Sequence, residues 1–368
     1  MSDTDRLRVL VLCGELDASG SPRVALNVSK HLVESADITV GYLWGSDELV
    51  PEFAEHGIPA VRLGDEPGDP SALVSLWRLV SAYRPDVVHT HMIPAGWCGR
   101  VVSRLRNVPV VSTIHTPYDD RSFPARVLDL STSFLSMVNV SVSNTVSESL
   151  PLYFGLGARS AVVHNCVDPD DLRIRGAVSW EDAEWNDGLL KDQPIIANVA
   201  RFDPKKRKAD LVRALPAVLD EFPDTVVVLT GWGEDRSHVE AVVRSLSVEE
   251  SVVFTDNIPN PYSVYRHADV VVLPSVSEGF SISMLEAMAF GKPIVATDIP
   301  SFREALGLDY PLVPPRDPPA LATAVERYLR DPTRAKQAGK TVRERVEREF
   351  SGHKAARAYL DIYESVNN

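Results

Sequence analysis

The sequence lacks the usual means of covalent stapling and of membrane insertion. Three cysteines in 368 residues, Cys13, Cys98 and Cys166, are too few and too scattered for a disulfide framework or a metal-ligand spacing, and they point to a reducing compartment. No apolar run approaches the roughly 18 residues that cross a bilayer, and the N-terminus leads through acidic residues straight into an apolar strand. A soluble, unprocessed, cytoplasmic chain is expected. A basic excess is missing too: 38 Lys and Arg stand against 51 Asp and Glu, a formal net charge of −13. That balance disfavours general nucleic-acid binding but leaves room for a local basic groove that takes an anionic ligand. The aspartate pairs Asp168/Asp170, in a turn, and Asp3/Asp5, at the terminus, do not read as metal sites, and no metal is expected.

What the chain does have is alternation. Short Val/Ile/Leu runs (RVLVLCG, DITVGYLWG, DVVHTH, VPVVSTIHT) are separated by amphipathic stretches, and the pattern restarts with PIIANVARF, TVVVLTG, VVFTDN, ADVVVLP and PIVAT. This predicts α/β architecture with parallel sheets covered by helices on both faces, in two Rossmann-like domains. The expected boundaries are 1–172 and 194–349. The polar, acidic stretch 173–193 lacks apolar periodicity and reads as a linker, and the helical tail should break near Phe350-Ser351-Gly352 to leave a terminal helix over 350–368.

The densest chemistry lies in residues 275–297, SVSEGFSISMLEAMAFGKPIVAT. Glu278 precedes a short helix and Glu286 lies on it. Gly279 lets backbone approach a ligand, and the N–H groups of residues 280–283, including Phe280 and Ser281, can form an anion site suited to a diphosphate. Glu286 suits the vicinal hydroxyls of a ribose, and Glu278 can reach hydroxyls on a sugar beyond the phosphates. An ordinary amphipathic helix ended by Gly291 explains Leu285, Met288 and Ala289 but not Glu278-Gly279-Phe280. The E-x7-E spacing closely resembles the signature of family 4 of the GT-B, metal-independent, retaining glycosyltransferases.

Further segments extend the resemblance over most of the chain. Arg201 ends a strand and Lys206 opens a helix five residues on, bringing two cations to the C-terminal edge of a sheet. This is similar to the family's phosphate clamp, with Arg207 where glycine is common. Gly231-Trp232-Gly233 resembles its G-x-G turn near the base, although any tight turn uses such glycines. Backbone near Ile258 is expected to meet the base, with Tyr262 nearby and Tyr265 in the core. In the first half, Gly20-Ser21-Pro22-Arg23 resembles the loop that flexes over the diphosphate and acceptor; a helix start is the other reading of the same residues. His115 resembles the strand-end histidine placed against the transferred sugar, and His91 ends the preceding strand. Ser143 and Asn144 resemble the strand end bordering the acceptor groove, and equally a helix N-cap.

The resemblance implies two Rossmann-like domains facing across a cleft, with the terminal helix crossing back to the first. It implies retaining transfer of a hexose or N-acetylhexosamine from a UDP- or GDP-sugar to a glycan, glycolipid or lipid-linked acceptor, with no cofactor and no metal for chemistry. Arg201 and Lys206 would neutralise the leaving diphosphate, and Glu278 and His115 would attend the sugar. A nucleotide-sugar 2-epimerase and a non-catalytic nucleotide-sugar-binding adaptor subunit are the alternatives on the same scaffold. Residues 76–130 are locally basic, with Arg100 and Arg104 on one helical face and Trp97, Val101 and Leu105 on another. That surface could meet anionic headgroups at the inner face of the cell membrane, or it could be a solvated helix.

Overall fold

A computed structural model describes residues 6–367 except Asp187, Asn257 and Pro259; Asp3 and Asp5 therefore lie outside the described residues. The chain divides into two compact units. The first takes the chain up to Cys166 together with everything from Gly352 onward, and the second is Val167–Ser351.

The first unit is built on seven parallel strands: β1 (Leu7–Cys13), β2 (Ala36–Tyr42), β3 (Ala60–Arg62), β4 (Val87–His91), β5 (Val110–Ile114), β6 (Val138–Ser141) and β7 (Arg159–Val162), in the order β3-β2-β1-β4-β5-β6-β7. The central strands are buried along their whole length, which is why they read as unbroken Val/Ile/Leu runs. Leu10, Leu12 and Val88 pack one face against Leu76 and Val80 of the helix Ser71–Tyr83 and Val102 of Ile93–Arg106. The terminal helix, Gly352–Asn367, belongs to this unit. It starts against the helix Gly20–Leu32, where a Cβ on Gly352 would fall 2.4 Å from the His31 ring, so only glycine allows the approach. Its buried Tyr359 and Tyr363 hydrogen-bond Thr113 Oγ1 (2.9 Å) and His89 Nδ1 (2.6 Å) on β5 and β4.

The second unit has five parallel strands, β8 (Ile195–Val199), β9 (Val226–Thr230), β10 (Val252–Thr255), β11 (Val270–Leu273) and β12 (Ile294–Ala296), ordered β10-β9-β8-β11-β12. Strand order reverses between β8 and β11, and ligands in open α/β sheets bind outside the carboxyl ends of strands at such a switch point. In the first unit the corresponding reversal lies between β1 and β4.

Residues 173–193, expected as a linker, instead fold as part of the second unit. Asp168 caps the helix Pro169–Arg175, whose end lies inside that stretch. Trp185 is buried and donates its Nε1–H to Ser263 Oγ at 3.1 Å, and His267 bonds the Val178 carbonyl at 3.0 Å. Two tryptophans at irregular spacing anchor this segment, so periodicity could not reveal it. The expected first-domain limit at 172 moves accordingly to 166.

Candidate active site

In the second unit, the C-terminal ends of β8 and β11 bring together the residues that the sequence singles out. Arg201, two residues past β8, is exposed, 3.9 Å from Asp203 and with its guanidinium 5.8 Å from the Trp232 ring centroid. Lys206 Nζ lies 2.5 Å from Glu278 Oε1, which also accepts from Ser275 Oγ at 2.9 Å. The two loops are tied by a main-chain bond from Val276 N–H to the Lys205 carbonyl, 2.9 Å. Lys206, not Lys205, is thus the lysine aimed at the glutamate. Arg207 adopts a left-handed φ of 53°, which accounts for the resembled glycine there, and its guanidinium is paired with the buried Asp210.

Ser281 caps the helix Ile282–Ala289 by accepting from Met284 N–H at 3.3 Å. The helix therefore opens later than residue 280, with the amides of Ile282 and Ser283 in its first turn. The Phe280 ring is buried edge-on to Phe350, 5.1 Å between centroids, so it serves the core and can offer a ligand only its main chain. Glu286 is buried on this helix and its Oε2 accepts from Tyr265 OH at 3.1 Å. Burial, and then the charge of Glu286, hold the Tyr265 phenol well above its ordinary range, so it remains a donor. Tyr265 is in the core as expected, yet it orients a site carboxylate, which no local pattern signals.

The Gly231-Trp232-Gly233 turn is sterically obligatory. Their φ angles are 128° and 143°, and a Cβ would fall 2.2 Å from the Ala200 carbonyl oxygen at Gly231 and 2.2 Å from that of Phe202 at Gly233. The turn is thereby clasped to the strand that presents Arg201. Beneath it lies Lys208, a residue missed from sequence: fully buried, it donates to the Thr230 carbonyl at 2.9 Å and sits 4.0 Å over the Phe202 ring. Burial, with Lys206 and Arg236 nearby, lowers its pKa well below the usual lysine value. Ile258 is half-buried between two residues outside the described set, and Tyr262 stacks on Phe290. A hollow of about 360 Å³, lined in part by Asp192, Asp269 and Lys292, lies at the opposite, N-terminal end of this sheet.

In the first unit, Gly20 and Ser21 are the first two residues of the helix Gly20–Leu32, so of the two readings of this segment the structure has the helix start. Pro22 and the Arg23–Glu52 pair at 2.8 Å fix that turn. Ser143 is an N-cap, accepting from Val146 N–H at 3.0 Å. Three imidazoles gather at the ends of β4 and β5. His91 Nδ1 lies 2.9 Å from His115 Nε2, and His89 Nε2 lies 2.7 Å from Thr113 Oγ1. Burial pulls His89 and His115 down to about 3, helped by His115 and Arg121 respectively, and pulls His91 well below 6.5, so all three are neutral at pH 7. The next residue, Met92, has φ 68° and ψ 167°, a region nearly reserved for glycine.

Arg100, expected on a solvated or membrane-facing surface, is buried instead. It pairs through Nη1 with Asp129 Oδ1 at 2.5 Å, and Arg121 Nη1 holds the other carboxylate oxygen at 2.5 Å. The partner lies 29 residues away, on the helix Phe123–Ser133, which helical periodicity cannot disclose. Among the described residues, no three His, Cys, Asp or Glu side chains are placed to share a metal ion.

Comparison with known proteins agrees with this geometry. Residues 18–171 match the family described as Glycosyltransferase Family 4, and residues 181–345 match Glycosyl transferases group 1. An uncharacterized glycosyltransferase of Methanocaldococcus jannaschii is 29% identical over 262 residues, covering 67% of this chain and 66% of its own length. Glycogen synthase of Mycobacterium tuberculosis is 27% identical over 296 residues, covering 77% and 69%. The matched region thus spans about two thirds of these relatives' lengths. Anabaena HepE, crystallised with UDP and glucose, superposes with a TM-score of 0.83 at 18% identity, over 98% of this chain and 100% of its own. The fold is that of the GT-B glycosyltransferases, two Rossmann-like domains of parallel sheet. The chain belongs to glycosyltransferase family 4 and is a hexosyltransferase.

Proposed function

We propose that the protein transfers a hexose or N-acetylhexosamine from a UDP- or GDP-sugar to a glycan, glycolipid or lipid-linked acceptor, with retention of configuration and without a metal ion. The observation that carries this reading is the cluster at the β8/β11 switch point: Lys206 2.5 Å from Glu278, with Glu286 held by Tyr265 on the helix that follows. The neighbour HepE was crystallised with UDP and glucose, in keeping with a nucleotide-sugar donor.

Transfer must stabilise an anionic leaving diphosphate and a cationic sugar together. Arg201, Lys206 and the first turn of Ile282–Ala289 meet the diphosphate, Glu286 takes the ribose hydroxyls, and Glu278 orients the sugar and shields its positive charge. His115, held neutral, contributes hydrogen bonding rather than charge. The leaving diphosphate oxygen deprotonates the acceptor on the same face of the sugar. Proton NMR of the product reads the anomeric configuration, and an inverted product overturns retention. Transfer undiminished by EDTA supports metal independence, and its loss with restoration by a divalent cation refutes it.

A lipid-linked acceptor is supported by the helices Ser71–Tyr83 and Ile93–Arg106, which carry no acidic residue and expose Trp77, Arg78, Arg104, Arg106 and Leu105. Arg106 lies 4.9 Å over the Trp77 ring and joins the two helices. No helix among the described residues is long and apolar enough to span a membrane, so attachment at the cytoplasmic face would be peripheral. Cosedimentation with vesicles containing phosphatidylglycerol, lost in Arg104→Glu/Arg106→Glu, tests this part.

A further inference from the structure

The first unit holds a half-open cavity of about 220 Å³ beside His115, and charged side chains stand in its wall. Arg100 and Arg121 share one carboxylate, Asp129, and the exposed Asp120 is the second acidic residue of the lining. Arg100 is 2% exposed. Its Nε bonds Ser112 and Ser136 Oγ at 3.1 and 3.0 Å, and its Nη1 serves Asp129. Its Nη2 makes no hydrogen bond to any described residue, and Arg100 is one of the residues lining the cavity. A cation this deep is costly unless every donor is met. Thr90, Ser112 and Thr113 line the same space, with the Thr90 and Ser112 hydroxyls bonded to each other at 2.9 Å. The residue guarding it, Met92, is the one with the glycine-only backbone, a strain that persists where surroundings hold it in place for a purpose.

We propose that this cavity binds an anionic group, a carboxylate or a phosphate, carried by the acceptor, with Arg100 Nη2 as the principal donor. The inference rests on the reading of the chain as a glycosyltransferase but is tested apart from it. The cavity is smaller than the roughly 300–1,000 Å³ typical of sites for drug-sized ligands, so it takes one charged group or a single ring rather than an oligosaccharide.

The experiment is isothermal titration of the full chain with inorganic phosphate, glucuronate and glucose 6-phosphate, with glucose as the neutral control. Saturable binding of at least one anion and none of glucose is expected, and the tightest anion identifies the group. Arg100→Gln should weaken it at least tenfold. Ala125→Leu, which fills the cavity from the helix Phe123–Ser133 and leaves the arginines in place, should do the same, and it covers the case in which Arg100→Gln fails to fold. Glu286→Ala, in the other unit, should leave anion binding unchanged while nucleotide binding weakens, so failure of the donor reading and failure of this one are separable. Anion binding that does not saturate, or that is as tight in both cavity variants as in the unsubstituted protein, overturns the proposal.

Discussion

Glu278→Gln separates the two roles assigned to the Lys206–Glu278 pair. In the structure Glu278 occupies the lysine that is to meet the diphosphate, at 2.5 Å, with side-chain exposures of 15% for Lys206 and 9% for Glu278. A hydrogen bond to a charged group contributes about 1.5–3 kcal/mol net. Glutamine keeps an acceptor near Lys206 and Ser275 while removing the charge, and Lys206 retains some access to water, so a stability loss of about 1–2 kcal/mol is expected in urea unfolding. Binding of the free nucleoside diphosphate should move the other way. Lys206 no longer has to leave a carboxylate, and a negative charge beside the phosphates is gone, so Kd should fall about tenfold, or ~1.4 kcal/mol. The transfer rate should nevertheless drop by roughly 10²-fold, because the carboxylate that shields the sugar's developing charge is absent. Calorimetric titration, urea unfolding and a product-release assay read all three. Diphosphate binding weakened as much as in Lys206→Ala, or an unchanged transfer rate, would refute the reasoning.

Other outcomes follow from the same geometry. Met92→Gly should raise stability by about 1 kcal/mol by relieving the backbone at φ 68°, ψ 167°, read as a higher urea midpoint; a lower midpoint would mean the side chain contributes more than the strain costs. Gly233→Ala should cost at least ~1–3 kcal/mol, since its Cβ would meet the Phe202 carbonyl at 2.2 Å, and should weaken nucleotide binding with it; an unperturbed variant would show that the turn is free to move. Stability should also fall with acidification. The folded pKa values of His89 and His91 lie below the ordinary 6.5, so below pH 6.5 the unfolded chain binds protons that the folded chain does not. Each contributes a loss approaching about 1.4 kcal/mol per pH unit, from just below 6.5 down toward the folded value, which is about 3 for His89. Urea unfolding at pH 7 and 5 checks this, and equal stability at the two would contradict it.

What was legible in the sequence was what short range encodes. Buried parallel strands announce themselves as Val/Ile/Leu runs, and the segments after β8 and β11 that carry Arg201, Lys206, Glu278 and Glu286 are adjacent once the β8/β11 order is known. Long-range pairing was not legible. Arg100 looks like one face of a solvated helix until Asp129 is brought to it, and Trp185 looks like part of a linker until Ser263 receives its N–H. Backbone strain at Met92 and the burial of Lys208 likewise depend on the tertiary setting. Gly20–Arg23 is a different case: serine and proline favour a helix start, and there the local signal was the better guide.

The most direct test is titration of the protein with UDP and with GDP, repeated on Glu286→Ala. One nucleotide should bind, and the variant should lose about 10²-fold in affinity, the ~3 kcal/mol carried by charge-assisted hydrogen bonds to a ribose. Failure of both nucleotides to bind, or equal affinity in the variant, would contradict the placement of the donor at the switch point.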